Sequence, residues 1–165
     1  MKAFGNDDYW RSIILYGLNQ ATYKIALGKS LVALSKNGFS SVPWETLSLE
    51  FLSQYKDRLN THDPMPQQAN PARRTFMEQA VRKLEIGKMD IDETIFDVGK
   101  NGFNDVIERF HNIAKFTDFQ GMFYTYDFGK SITLTDNLHR VVDNNFTDIS
   151  DELEARWSLL EGAFS

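Results

Sequence analysis

The chain contains no cysteine at all, which excludes disulfides, thiolate nucleophiles and thiolate zinc sites. It has three histidines, His62, His111 and His139, and no two of them stand at a His-x-x-x-His spacing, so a multi-histidine metal site is not expected. Proline is scarce, and three of the four residues, Pro64, Pro66 and Pro71, fall in one short stretch. No uncharged apolar run reaches the length of a membrane helix, because the longest, Ser12 to Tyr23, is bounded by Arg11 and Lys24. The start, with Lys2, Asp7 and Asp8, is not a signal peptide. The expectation is therefore a cytoplasmic protein that does not enter a membrane.

What the sequence does have is ample core material. Of 165 residues, 42% are hydrophobic and 13 are Phe, enough for one domain. The formal charge of −5 is unevenly spread. Residues 1–89 hold 12 bases and 8 acids, whereas residues 90–165 hold 6 bases and 15 acids. A basic first half suits phosphate and an acidic second half suits a basic partner, unless the two halves face each other within the fold.

Periodicity predicts a mainly α protein of about six helices packed around a long N-terminal helix. From Asp7 to about Ser35, the stripe Trp10, Ile14, Gly17, Ala21, Ile25, Gly28 and Val32 recurs at helical spacing and ends at Asn37-Gly38. Gly17 and Gly28 on that stripe mark close helix crossings. A second helix is expected from Pro43 to about Asn60, and a Pro-rich loop over Thr61 to Pro71. A third helix is expected from Ala72 to Ile86, a short one after the N-cap Asp90, and another from Gly102 to Ala114. Met122 to Tyr126 and Ser131 to Thr135, joined by Asp-Phe-Gly-Lys, read as one small β-hairpin. Leu138 to Val142 reads as an added helical turn and Ser150 to Phe164 as the last helix.

The chemistry-bearing patterns are few. A hairpin followed by a helix is also the layout of small metal-dependent nucleases, and Asp127 and His139 can be imagined as ligands, but Phe128 stands where a water-activating histidine would be needed. Gly28-Lys29-Ser30 lies inside a helix with no strand before it and is not a phosphate loop. Asp90, Asp92, Glu93 and Asp97 lack the glycine and terminal glutamate of a calcium loop and suit a helix N-terminus. Arg73, Arg74, Arg82 and Lys83 form the candidate nucleic-acid-binding group, with Arg74 and Arg82 in similar helical phase. Asn19, Thr22, Tyr23 and Lys24 sit together at the centre of the first helix as a structural or recognition cluster, and Asn19 and Tyr23 at i, i+4 suit a buried polar node.

The string Leu15-Tyr16-Gly17-Leu18-Asn19-Gln20-Ala21-Thr22-Tyr23-Lys24-Ile25-Ala26-Leu27 resembles the opening helix of bacterial HNH-endonuclease-type proteins. The closing string Leu153-Glu154-Ala155-Arg156-Trp157-Ser158-Leu159-Leu160-Glu161 is similar to the segment that precedes their nuclease module. The resemblance covers about 35 residues at the two ends. It implies the helical N-terminal part of a longer protein acting in defence against phage or foreign DNA. The His-Asn-His segment is not among these residues, so no catalytic residue and no cofactor is expected here, and a divalent metal would belong to the nuclease module. The resulting expectation is a non-catalytic recognition or regulatory domain that binds DNA or a protein partner. The alternative is a stand-alone interaction module or inhibitor that binds a basic protein.

Overall fold

The computed structural model describes residues 5–16, 21–70, 72–114, 117–118 and 120–165. The protein is mainly α with a small antiparallel sheet, as the periodicity predicts. The long helix, however, is at the other end of the chain.

In place of one N-terminal helix there are two, α1 (Asn6–Leu15) and α2 (Tyr23–Lys36). After α1 the backbone turns extended at Tyr16 (φ −107°, ψ 159°), and Ala21 pairs with Gln68 of the Pro-rich loop in an isolated β-bridge. A continuous apolar stripe cannot reveal this break, because both helices bury the same kind of face. Gly38 (φ +86°) ends α2 as expected, with Phe39 N–H donating to the Leu34 carbonyl over 3.0 Å. Gly28 does mark a close crossing: a Cβ there would lie 3.2 Å from both Ile14 Cδ1 and Leu153 Cδ2. Gly17 lies outside the described residues.

Strand β1 (Ser41–Pro43) leads directly into α3 (Trp44–Leu59), so Pro43 precedes the helix by one residue. Helix α4 (Phe76–Glu85) starts later than expected because Thr75 takes the cap: its Oγ1 accepts from Glu78 N–H, and Glu78 Oε1 accepts from Thr75 N–H. Asp90 caps α5 (Ile91–Asp97) by accepting from Glu93 N–H at 2.8 Å. A π-helical turn (Val98–Gly102) then leads to α6 (Asn104–Arg109). The expected helix to Ala114 stops short, since β2 (Asn112–Ala114) pairs with β3 (Thr117–Asp118).

The expected hairpin is present as β4 (Tyr124–Asp127) and β5 (Ser131–Leu134), closed by Gly129 at φ +81°. Strand β1 adds antiparallel to β5, with Val42 opposite Ile132, and gives the sheet order β1-β5-β4. The last two expected helical pieces are one element, α7 (Asp136–Phe164), kinked at Asn145 (φ −141°), whose side chain donates to Asp7 of α1 over 2.6 Å.

Helix α7 runs antiparallel to α2. Ser35 meets His139 at one end, and Thr22 and Trp157 both bond Gln67 at the other. Trp10 sits edge-on to Phe123, and Phe51, Tyr55 and Trp157 stack edge to face through the centre. No helix among the described residues is long and apolar enough to cross a membrane.

Candidate binding surfaces

Helix α3 buries Trp44, Leu47, Ser48, Phe51, Leu52 and Tyr55 and turns Glu45, Thr46 and Leu49 toward its flank. Helix α5 buries only Thr94, whose hydroxyl donates to the Asp90 carbonyl over 2.7 Å. The two elements meet closely at the π-helical turn. A Cβ on Gly99 would stand 2.8 Å from Ser48 Oγ and 3.1 Å from Trp44 Cδ1, and Trp44 Nε1 donates to the Gly99 carbonyl at 2.7 Å.

Beside that contact, α3 and α5 leave a groove of about 450 Å³ lined by Glu45, Thr46, Leu49, Asp92, Ile95 and Phe96. Phe96 is 73% exposed and Leu49 43%. Two large apolar side chains in one concave site differ from singly scattered surface hydrophobes, which need no explanation. The charged residues of the lining are both acidic. Asp92 and Glu93 in the first turn of α5 suit the helix dipole, and that placement also leaves the groove edge negative. Phe128, at the hairpin tip and 47% exposed, rests against Trp44 at 4.9 Å between ring centroids and carries apolar surface beyond α3. In the sequence the acids of α5 read as a helix start, and Phe96 carries no signal of its own. The signal was available in the Ile95-Phe96 pair of a short helix that can bury only one face.

The predicted basic group divides. Arg73 and Arg74 lie in the turn before α4, and Arg82 and Lys83 in its last turn, so the group spans a helix about 15 Å long. Because Arg74 stands outside the helix, its phase relation to Arg82 does not hold. Arg73, Arg74 and Arg82 are exposed and Lys83 half-buried, and none of the four forms an ion pair among the described residues.

Around the start of α2 the structure explains most of the predicted polar cluster internally. Thr22 is fully buried, and its hydroxyl contacts Tyr55 Oη and Gln67 Oε1, each at 2.8 Å. The amide oxygen of Gln67 can only accept, so Thr22 donates to it and Tyr55 donates to Thr22. Trp157 Nε1 donates to the same oxygen, while Gln67 Nε2 donates to the Met65 carbonyl and to Glu161 Oε2 at 2.6 Å. Glu161 in turn accepts from Arg58 Nε at 3.0 Å. Gln67, in a loop that reads as plain connection, thus holds the centre of a fully satisfied network. Tyr23 Oη accepts from Met77 N–H at 3.2 Å. Burial raises the Tyr23 phenol, and it raises the Tyr55 phenol well above its usual range. Lys24 donates to the Tyr16 carbonyl at the end of α1, and burial, with Arg156 second, lowers it to about 8. Asn19 lies outside the described residues.

The histidines are engaged in packing or turns. His111 is buried beside Tyr124, and its Nε2 accepts from Phe123 N–H at 3.1 Å. His139 bridges Ser35 Oγ at Nδ1 (2.7 Å) and Ser40 Oγ at Nε2 (3.2 Å), which ties the end of α2 to the chain entering β1. His62 is exposed in the Pro-rich loop. Asp127 is exposed on the hairpin, and no group of three His, Asp or Glu side chains among the described residues is arranged to hold a metal. Tyr124, Ile132 and Leu134 pack inward as expected of hairpin residues, whereas Tyr126 is 38% exposed.

Comparison with protein-family models, with curated proteins and with solved structures returns no match to this chain.

Proposed function

We propose that this chain is a non-catalytic protein-interaction module that receives a basic partner on the α3/α5 face. The observation that carries the reading is the exposed ring of Phe96 over an apolar groove whose charged lining residues, Glu45 and Asp92, are both acidic. An apolar centre supplies affinity and the like-signed rim selects a partner of opposite charge. The acidic second half of the sequence, where α5 begins, favours the same partner chemistry.

Titration of isotope-labelled protein with a lysine/leucine amphipathic helical peptide tests this. Amide shifts centred on Leu49, Asp92, Ile95 and Phe96, weakened by added salt and lost in Glu45→Lys/Asp92→Lys, are expected. Shifts centred elsewhere, or unchanged by the charge reversal, overturn it.

A second reading, contact with DNA as the recognition part of an HNH-type defence nuclease, has the four cations Arg73, Arg74, Arg82 and Lys83 in its favour, since none is neutralised by an ion pair among the described residues. Duplex binding that falls steeply with salt and is lost on Arg73, Arg74 and Arg82 to Ala would support it. Binding that survives those substitutions would not.

A further inference from the structure

Along the antiparallel α2/α7 seam, Gly28 lies against Leu153. One helical turn toward the α2 N-terminus is Lys24, and about one turn further along α7 is Arg156, so the register of the two helices brings these cations to the same end of the seam. Neither is matched with a carboxylate among the described residues. The Nε of Arg156 is buried and has no hydrogen-bond partner. The natural i, i+4 partner of Arg156 is Glu152, but both oxygens of Glu152 accept from Arg11 Nε, at 3.0 and 3.1 Å. The next acids along α7 are also taken: Glu154 by Lys29 and Arg58, and Glu161 by Arg58 and Gln67. Lys24 donates one N–H to the Tyr16 carbonyl and has two further N–H groups to donate.

Two cations at the same end of the seam without an intervening anion repel, and a buried orphan donor costs as much as a lost hydrogen bond. Burial is the main cause of the depressed ionisation of Lys24, and Arg156 adds to it in the direction that repulsion requires. A small anion between them relieves both costs and uses the orphan Nε–H.

We propose that Lys24 and Arg156 form a binding site for a small tetrahedral oxyanion of the phosphate or sulfate class, between the end of α1 and the α2/α7 seam. The site is separate from the α3/α5 groove, and either can exist without the other.

Inorganic phosphate is the probe, compared with chloride at equal ionic strength so that general screening cancels. At phosphate about tenfold above its dissociation constant, the full chain should gain about 4 °C in melting temperature. The Lys24 titration, followed by NMR, should move to higher pH because a bound anion favours the charged amine. The melting gain should be lost in Lys24→Met and in Arg156→Gln, and the Lys24 titration shift should be lost in Arg156→Gln, with circular dichroism used to confirm that each variant is folded. Arg156→Lys should keep part of the binding. An equal melting shift in the folded variants, or no shift in melting or in the Lys24 titration up to about 50 mM phosphate, overturns the proposal. Binding that maps to Arg73, Arg74, Arg82 and Lys83 does so as well.

Discussion

Trp157 donates its indole N–H to the side-chain oxygen of Gln67 over 2.8 Å, and this bond joins the last helix to a Pro-rich loop 90 residues earlier. Thr22 uses the same oxygen, so one amide fixes the start of α2, the loop and the end of α7 together.

Gln67→Ala should therefore cost about 2–4 kcal/mol, because it leaves Thr22, Trp157 and Glu161 short of partners in a buried site. Urea denaturation of the variant against the native protein measures it. Exposed Gln79→Ala, whose side chain caps only the Arg74 carbonyl, should stay within about 0.5 kcal/mol of native.

Gly99→Ala should destabilise by about 1–3 kcal/mol, since the new methyl meets Ser48 Oγ and the Trp44 ring at the tightest point between α3 and the π-helical turn. The variant should also alter the groove, so its near-ultraviolet Trp signal and its peptide affinity should change together. Gly162→Ala, with open space at its Cβ inside α7, should instead stabilise by up to about 1 kcal/mol.

Alkaline stability follows from two opposed shifts. Lys24 ionises near 8 in the fold and near 10.5 when unfolded, so between those values the unfolded chain holds the extra proton and stability rises with pH. The phenols of Tyr23, Tyr55 and Tyr124 are raised above 10 by burial, so the fold holds their protons longer and stability falls as pH climbs past 10. Stability measured in urea should thus rise gently above pH 8 and drop beyond pH 10, with tyrosinate absorbance appearing as the chain unfolds. Lys24→Met should lack the rise and keep the drop.

Local signals in the sequence located much of the fold. Pro43, the Asp90 cap, Asn37-Gly38 and the Asp-Phe-Gly-Lys hairpin turn each work through their own backbone, so their neighbours suffice to read them. The break between α1 and α2 was not legible, because Ala21 pairs with Gln68, a partner 47 positions away, while the apolar stripe continues. Strand β1 was hidden for the same reason, as Val42 finds Ile132 only in the folded chain. Of the candidate site, the acids of α5 were visible as a helix start. Their position beside Leu49 and Phe96 depends on how Gly99 seats α5 against α3, which no periodicity contains.

In the proposed function, Phe96 and its acidic surround receive a basic protein. A photo-crosslinking residue placed at position 96 of the full chain, in its native cells, tests this, with the exposed Leu159 on α7 as the control position. One predominant adduct is expected from position 96, with a protein whose crosslinked segment is rich in Lys and Arg, absent from position 159 and abolished by Glu45→Lys/Asp92→Lys. No adduct at position 96, the same adduct from both positions, or a crosslinked segment without basic residues would contradict it.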